Sequence, residues 1–536
     1  MAPIKKQQGG VSQGGRSTTL KAALSGAAVA AGAIAVLGVG AKQFIVSSDP
    51  GTRMLSGDGS LLATVSGLFR SSAAREALED LSQPAHWVRY LPVSTHPTSK
   101  NEEPVPQPVK PLGAGPHVYT HVHHVDPRDL AYIPPGTKSR KFSEAFVPHD
   151  GAGRQAGNVT IPAAEQTHFQ VYDRKRGDSL LGGKPRITLL AKSPNTSYHF
   201  AHEAPVWLPG SDSIYWCSNA GAGGSDLHRN NVVYKFRHSL SKTAVRASRG
   251  QASYKEDIEE VPIDSPEVQM TNGGTNYGPN LLLFANQGRG PSMPGGLTLV
   301  TTPEGGKKPR VKTLVNNVRS KHFNAPNDVV VHPTTGQIFF TDALYAQLQH
   351  FKDKADLPTM LWAFDPPSGR LAPLETNGVD MPNGLCFDPE GKKLYVTDTA
   401  AVFGARYAAR ADVAHRVIYV FDVVTEEDGD VTRHFLANRR VFAHVDTGIA
   451  DGIKTDDAGN VYAGTGDGID VWSSKGTHLV KIFLPWGGAP NFVLAGKGRI
   501  VALSDVRIWL IEMDEEVRDP GLAQRPAKAM RVAFDD

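Results

Sequence analysis

Ala325-Pro326-Asn327-Asp328-Val-Val-Val-His-Pro-Thr-Thr-Gly336-Gln-Ile-Phe-Phe-Thr-Asp342 is echoed by Met381-Pro382-Asn383-Gly384-Leu-Cys-Phe-Asp-Pro-Glu-Gly391-Lys-Lys-Leu-Tyr-Val-Thr-Asp398. Each copy opens on a polar residue, runs through an apolar strand to a glycine hairpin seven to nine residues on, and returns along a second apolar strand. Further copies begin at Glu203-Ala204-Pro205-Val206-Trp207, at Ala450-Asp451-Gly452-Ile453 with Gly459, and at Ala489-Pro490-Asn491-Phe492 with Gly498. From Asn327 onward the opening residues are 56, 68 and 40 positions apart, which is the spacing of propeller blades. About six such units fit residues 165–515, so the sequence predicts an all-β, six-bladed β-propeller there.

A propeller converges its innermost strands on a central channel, so residues that open those strands meet at one mouth. Glu203, Asn327, Asn383, Asp451 and Asn491 are expected to gather there although far apart in sequence. Two carboxylates with several amide oxygens, and no Cys or His in the same slots, form a hard-oxygen set suited to Ca²⁺ and less well to Mg²⁺ or Mn²⁺. The competing explanation is that Asn-Gly and Asp-Gly only make turns, because these residues tolerate positive φ. That explanation leaves unexplained why the polar residue opens every copy while the hairpin glycine lies elsewhere.

Taken together, Glu203-Ala-Pro-Val-Trp, Phe323-Asn-Ala-Pro-Asn327-Asp, Pro382-Asn383-Gly384-Leu with Leu394-Tyr-Val-Thr-Asp398, and Asp451-Gly-Ile-Lys with Asn460-Val-Tyr-Ala-Gly-Thr resemble the SMP-30/gluconolactonase/luciferin-regenerating-enzyme family, in its fungal lactonohydrolase-like branch. The resemblance covers about residues 195–510, with four motifs in order. It implies a six-bladed propeller with a divalent cation in the channel, Ca²⁺ first and Zn²⁺, Mg²⁺ or Mn²⁺ as other candidates, and hydrolysis of a small-molecule lactone. Carried over residue by residue, it implies that Glu203, Asn383 and Asp451 are metal ligands and that Asn327 either ligates the metal or contacts substrate. Asp451 would also act as the catalytic base. Three departures stand out: Glu-Ala-Pro for the usual Glu-Gly-Pro, Ala450-Asp451-Gly452 for Pro-Asp-Gly, and Thr341-Asp342-Ala343-Leu344-Tyr345-Ala346 for Thr-Asp-Pro-Pro-Tyr-Gly. The last of these lines the substrate mouth. His202 and His322, beside motif residues, either line the pocket or are satisfied wall residues. Two other functions share this fold: a strictosidine-synthase-like or phosphotriesterase-like enzyme, and a non-catalytic, Ca²⁺-binding tethered propeller.

Outward from the propeller the texture changes. Residues 1–21 carry Lys5, Lys6, Arg16 and Lys21 and no acid, and residues 22–41 are uncharged for 20 positions, about the length of a membrane-spanning helix. By the positive-inside rule this predicts a signal anchor with the C-terminal part lumenal or extracellular. Cleavage after Val39-Gly40-Ala41, giving a secreted protein, and a mitochondrial presequence are the alternatives. Residues 42–164 are proline-rich without sustained periodicity and read as a linker or wrapping segment, partly helical near 70–82; residues 516–536 read as a C-terminal tail. His117, His121 and His123 would share one face of a strand, as a transition-metal site does, although a bland edge strand accounts for them too.

Composition narrows the functions further. Glycine at 54 and proline at 38 residues make about 17% of 536, a turn-rich chain without low complexity. A net charge of +3 argues against a nucleic-acid partner. Cys217 and Cys386 are the only cysteines, read as free thiols, so CxxC metal and redox sites are excluded. Gly10-Val-Ser12-Gln-Gly14 has no strand before it and no helix after it, as a nucleophile elbow requires. The sequence has no Walker A motif and no GxGxxG. Asn158-Val-Thr160 and Asn195-Thr-Ser197 are glycosylation acceptors if the domain is lumenal.

Overall fold

The computed structural model describes residues 118–520 apart from short internal stretches, the longest being 137–153. Residues 22–41 and 70–82 lie outside the described residues, as does Asn158. Among the described residues no helix is long and apolar enough to cross a membrane.

Six sheets are arranged as propeller blades. Blade 1 runs from its inner strand Glu203–Leu208 through Ser213–Cys217 and Val233–Phe236 to Ile258–Glu260. Blade 2 is Thr271–Gly278, Leu281–Arg289, Met293–Thr301 and Val311–Val315; blade 3 is Pro326–Val331, Ile338–Asp342, Met360–Asp365 and Arg370–Leu374. Blade 4 begins at Pro382–Phe387 and ends in the long hairpin Val417–Asp428 and Val431–His444. Each inner strand touches those of the neighbouring blades, and the inner strand of blade 6 returns to that of blade 1, closing the ring.

The ring closes by mixing the two ends of the described chain. In blade 5, Ile453–Thr455, Val461–Thr465, Gly468–Trp472 and His478–Phe483 are extended by Phe169–Val171 and Val122–His124. In blade 6, Asn491–Leu494, Arg499–Ser504 and Arg507–Glu512 are extended by Arg186–Lys192 and Val118–Tyr119. Early strands thereby cover the open edges of late ones, which a propeller must do to protect its last blades. Residues 118–124 therefore do not form one strand. They cross from blade 6 to blade 5, His121 lying between the two strands; His117 lies outside the described residues, and His124 bonds Asp178 at 2.6 Å.

Two kinds of glycine hold this architecture. The hairpin glycines Gly336, Gly391, Gly459 and Gly498 have φ of 76°, 71°, 78° and 67°, the left-handed turn conformation that the repeat requires. Gly384 and Gly452, which follow the polar openers, do not. A Cβ on Gly384 would lie 2.2 Å from the Asp451 carbonyl oxygen, and one on Gly452 would lie 2.3 Å from Asn491 Oδ1. The Asn-Gly and Asp-Gly pairs are thus not turns. Their glycines let neighbouring inner strands approach in the channel wall. Apolar faces fill the space between blades, as where Phe339 and Leu361 of blade 3 meet Leu385 and Phe387 of blade 4, each burial stabilising by about 1.5–3 kcal/mol.

Candidate active site at the channel mouth

Each inner strand presents a polar residue at its start. Glu203, Asn327, Asn383 and Asn491 are buried there, and Asp451, two residues before its strand, is partly exposed. In blades 1, 3 and 4 a bulge lies at the opener or just after it, between Glu203 and Val206, Pro326 and Val329, and Pro382 and Leu385. A bulge re-aims the side chains on its strand, which accounts for the polar opener and the apolar wall coexisting in six residues. In blade 1 the bulge places Ala204 at φ 50°, so the alanine that departs from the Glu-Gly-Pro pattern occupies a glycine-type conformation.

The Thr-Asp that ends the second strand of blades 3 and 4 fixes these openers. Asp342 accepts from the backbone N–H of Asn324 and Ala325 at 3.1 and 2.7 Å, and Asp398 accepts from those of Asp380 and Met381, both at 3.1 Å. Thr341 Oγ1 donates to the Asn383 carbonyl at 2.8 Å, and Thr397 Oγ1 to the Asp451 carbonyl at 2.9 Å. Each threonine therefore registers its own blade on the next opener.

Four of the predicted residues are linked at the mouth. Asn491 Nδ2 donates to Glu203 Oε2 at 2.8 Å, and Gly384, the residue after Asn383, packs against the Asp451 carbonyl. Burial and repulsion from Asp451 push Glu203 up to about 8, His202 and Asn491 opposing. Burial pushes Asp451 up to about 7, with Asp328 and Asp505 adding repulsion while His202 and Asn383 oppose it. Two carboxylates that repel in a dry site are what a cation would relieve. Asp451 Oδ1 and Asn327 Oδ1 are buried without a hydrogen-bond partner, which leaves oxygen lone pairs available to a ligand. These donors fit a hard divalent cation. Among the described residues no group of three or more His, Cys, Asp or Glu is placed to hold a metal; the oxygens gathered here are two carboxylates and several amides.

The structure adds residues that sequence reasoning missed. Asn272 opens the inner strand of blade 2, is buried, and donates from Nδ2 to the Asn327 carbonyl at 3.3 Å. Its signal was the 124-residue gap from Glu203 to Asn327, two blades long, with Asn272-Gly273 inside it. Asp505 accepts from His202 Nδ1 at 2.6 Å, and His202 Nε2 lies 3.8 Å from Glu203 Oε1. Burial opposes the charged imidazole, but Asp505 and Glu203 outweigh it and hold His202 at about 9. His202 thus belongs to the site wall. His322 does not: it is exposed on a two-stranded hairpin, paired with Asn317. Tyr345, on the short helix Tyr345–Leu348 after blade 3's second strand, accepts from Asn383 Nδ2 at 3.1 Å.

Fold and site together define a propeller that gathers acid and amide side chains from successive blades at one mouth of its central channel. Residues 202–500 match the family described as SMP-30/Gluconolactonase/LRE-like region, and the chain belongs to that family. Lactonohydrolase oryL of Aspergillus oryzae is 26% identical over 342 residues, 60% of this chain and 69% of that protein. Lactonohydrolase oryH of the same organism is 24% identical over 422 residues, 66% of this chain and 80% of that protein. A solved gluconolactonase from Xanthomonas campestris is 21% identical, covers 64% of this chain and 94% of its own, and superposes with a TM-score of 0.45.

Proposed function

We propose that the protein is a lactonase, a hydrolase of carboxylic esters, that depends on a divalent cation, Ca²⁺ first. The observation that carries this is the pairing of Glu203 and Asp451 at one mouth beside unpartnered oxygens of Asp451 and Asn327. The names of its relatives, two lactonohydrolases, support the same reaction.

Glu203, Asn383 and Asp451 would hold the cation, with Asn327 either joining them or contacting substrate. When bound, a divalent cation supplies Lewis acidity toward an ester carbonyl and the charge that develops on its oxygen. Asp451 takes a proton from the attacking water as the new C–O bond forms, and returns it to the ring oxygen as the lactone C–O bond breaks. One hydroxy acid leaves. Asn327 orients the substrate or the water with its free amide oxygen. His202, clamped by Asp505, keeps a positive edge on the Glu203 side of the mouth. The uncharged segment 22–41 and its basic flank support a membrane tether with the propeller on the lumenal or outer side.

The test is hydrolysis of a panel of aldonolactones and aromatic lactones by the purified protein, with Ca²⁺, with chelator, and as Asp451→Ala. The expected result is activity lost under both perturbations. Tight Ca²⁺ binding with no hydrolysis of any lactone would overturn the enzymatic reading in favour of a binding module.

A further inference from the structure

We infer that Tyr345 is a positioning residue whose hydroxyl sets the Asn383 amide so that its oxygen, not its nitrogen, is free to face the channel. The inference rests on the cation reading above and names a residue that acts through another.

The argument is the direction of a hydrogen-bond chain. The Met381 carbonyl can only accept, and Thr399 Oγ1 donates to it at 3.1 Å. With its one proton spent there, Thr399 can only accept from the Tyr345 hydroxyl, which it contacts. Tyr345 in turn has its proton committed and offers a lone pair, and the group 3.1 Å away on that side is Asn383 Nδ2. A flipped Asn383 would point an oxygen at an oxygen lone pair. Thr399, Asn383 and Tyr345 are 0%, 7% and 9% exposed, so water is a poor substitute for any member. With the amide nitrogen held by Tyr345, Oδ1 is left for a cation.

The placement crosses blades. Tyr345 is buried in the apolar cluster of Met270, Phe351, Met381 and Ala400, so an insertion in blade 3 reaches over to orient a blade 4 ligand. This gives a role to the stretch 341–346, where the chain departs from its family pattern but keeps a tyrosine.

The experiment is Tyr345→Phe in the full chain, which keeps the ring and removes the hydroxyl, with Ca²⁺ affinity read by titration calorimetry. Loss of a partner that orients a metal ligand typically weakens binding about 10- to 100-fold, and the Ca²⁺ dissociation constant should rise by about tenfold or more. Melting of the Ca²⁺-free protein should stay within about 2 °C of the parent, and kcat should recover at saturating Ca²⁺. Thr399→Val should weaken Ca²⁺ in the same way, and Thr399→Ser, which keeps the chain, should not. Native Ca²⁺ affinity in Tyr345→Phe beside lost affinity in Asn383→Ala would overturn the assignment while leaving the cation site standing. A parent chain that binds no Ca²⁺ would sink the cation reading and this inference with it.

Discussion

Ca²⁺ binding should expel protons, and the structure says how many. Glu203 sits near 8 and Asp451 near 7 in the metal-free protein, so at pH 6 both are largely protonated and each must lose its proton before it can ligate. From pH 6 to pH 9 the expected gain in affinity is two decades from Glu203 and one from Asp451, about a thousandfold or about 4 kcal/mol. Proton release should approach two per ion at pH 6 and fall almost to zero at pH 9. The other charges facing the pair are His202, Asp505 and Asp328, and a proton driven off His202 would add to the count without changing its sign. The same shifts set the stability of the metal-free fold. Because the folded carboxyls hold protons more tightly than the unfolded ones, their contribution is full below about pH 4 and is lost as pH rises through 7 to 8; Ca²⁺ restores it. Calorimetric titration at pH 6, 7.5 and 9, each in two buffers of different ionisation enthalpy, counts the protons directly. Fewer than about half a proton at pH 6, or a count that Asp451→Asn leaves unchanged, would refute the reasoning.

Gly384→Ala should cost about 3 kcal/mol and weaken Ca²⁺, since its Cβ would fall 2.2 Å from the Asp451 carbonyl oxygen; native melting and affinity would show that the inner strands can yield. Lys481, 1% exposed between Asp467 at 2.7 Å and Asp470 at 2.9 Å, should be worth about 3–5 kcal/mol in Lys481→Met by denaturant unfolding; an unchanged midpoint would show that the two aspartates find other partners. Cys217 and Cys386 are unpaired and buried, and burial pushes both thiols up, so an aromatic disulfide reagent should label neither in the native protein and both after unfolding. Labelling of the folded protein would show an opening of blade 1 or blade 4.

The fold was legible because a propeller repeats its most constrained local unit. Gly336 and Gly391 need a left-handed turn and Thr341-Asp342 and Thr397-Asp398 need fixed partners, so those residues recur at readable spacing. Asn272 was not legible by that rule. Blade 2 replaces the Pro-Asn-Asp or Pro-Asn-Gly signature with Thr271-Asn-Gly-Gly, and its second strand carries Asn286-Gln287 opposite the opener instead of Thr-Asp. Asn286 does the corresponding work with different chemistry, accepting from Thr271 Oγ1 at 2.8 Å. The pairing of His202 with Asp505 was equally out of reach, since 303 positions separate them and only the closure of blade 6 onto blade 1 brings them together. His322 shows the reverse error: adjacency to a motif in sequence says little when the next residues turn out onto a hairpin.

The charges at the mouth also explain why so many openers are amides. Asp505 is matched by His202, and Asp328 lies 3.9 Å from Lys454, so these pairs add little net charge. What remains uncompensated is Glu203 and Asp451, two negative charges at one end of a buried channel. A third acid among Asn327, Asn383 and Asn491 would leave an excess that one dication could not neutralise, at a cost of several kcal/mol for a buried unpaired charge. Amide oxygens extend the ligand set without adding charge, and the Asn491 N–H bonds Glu203 from the side. The Asn-rich openers are therefore part of the electrostatics of the site: they fill out coordination around a dication while holding the fixed charge at two.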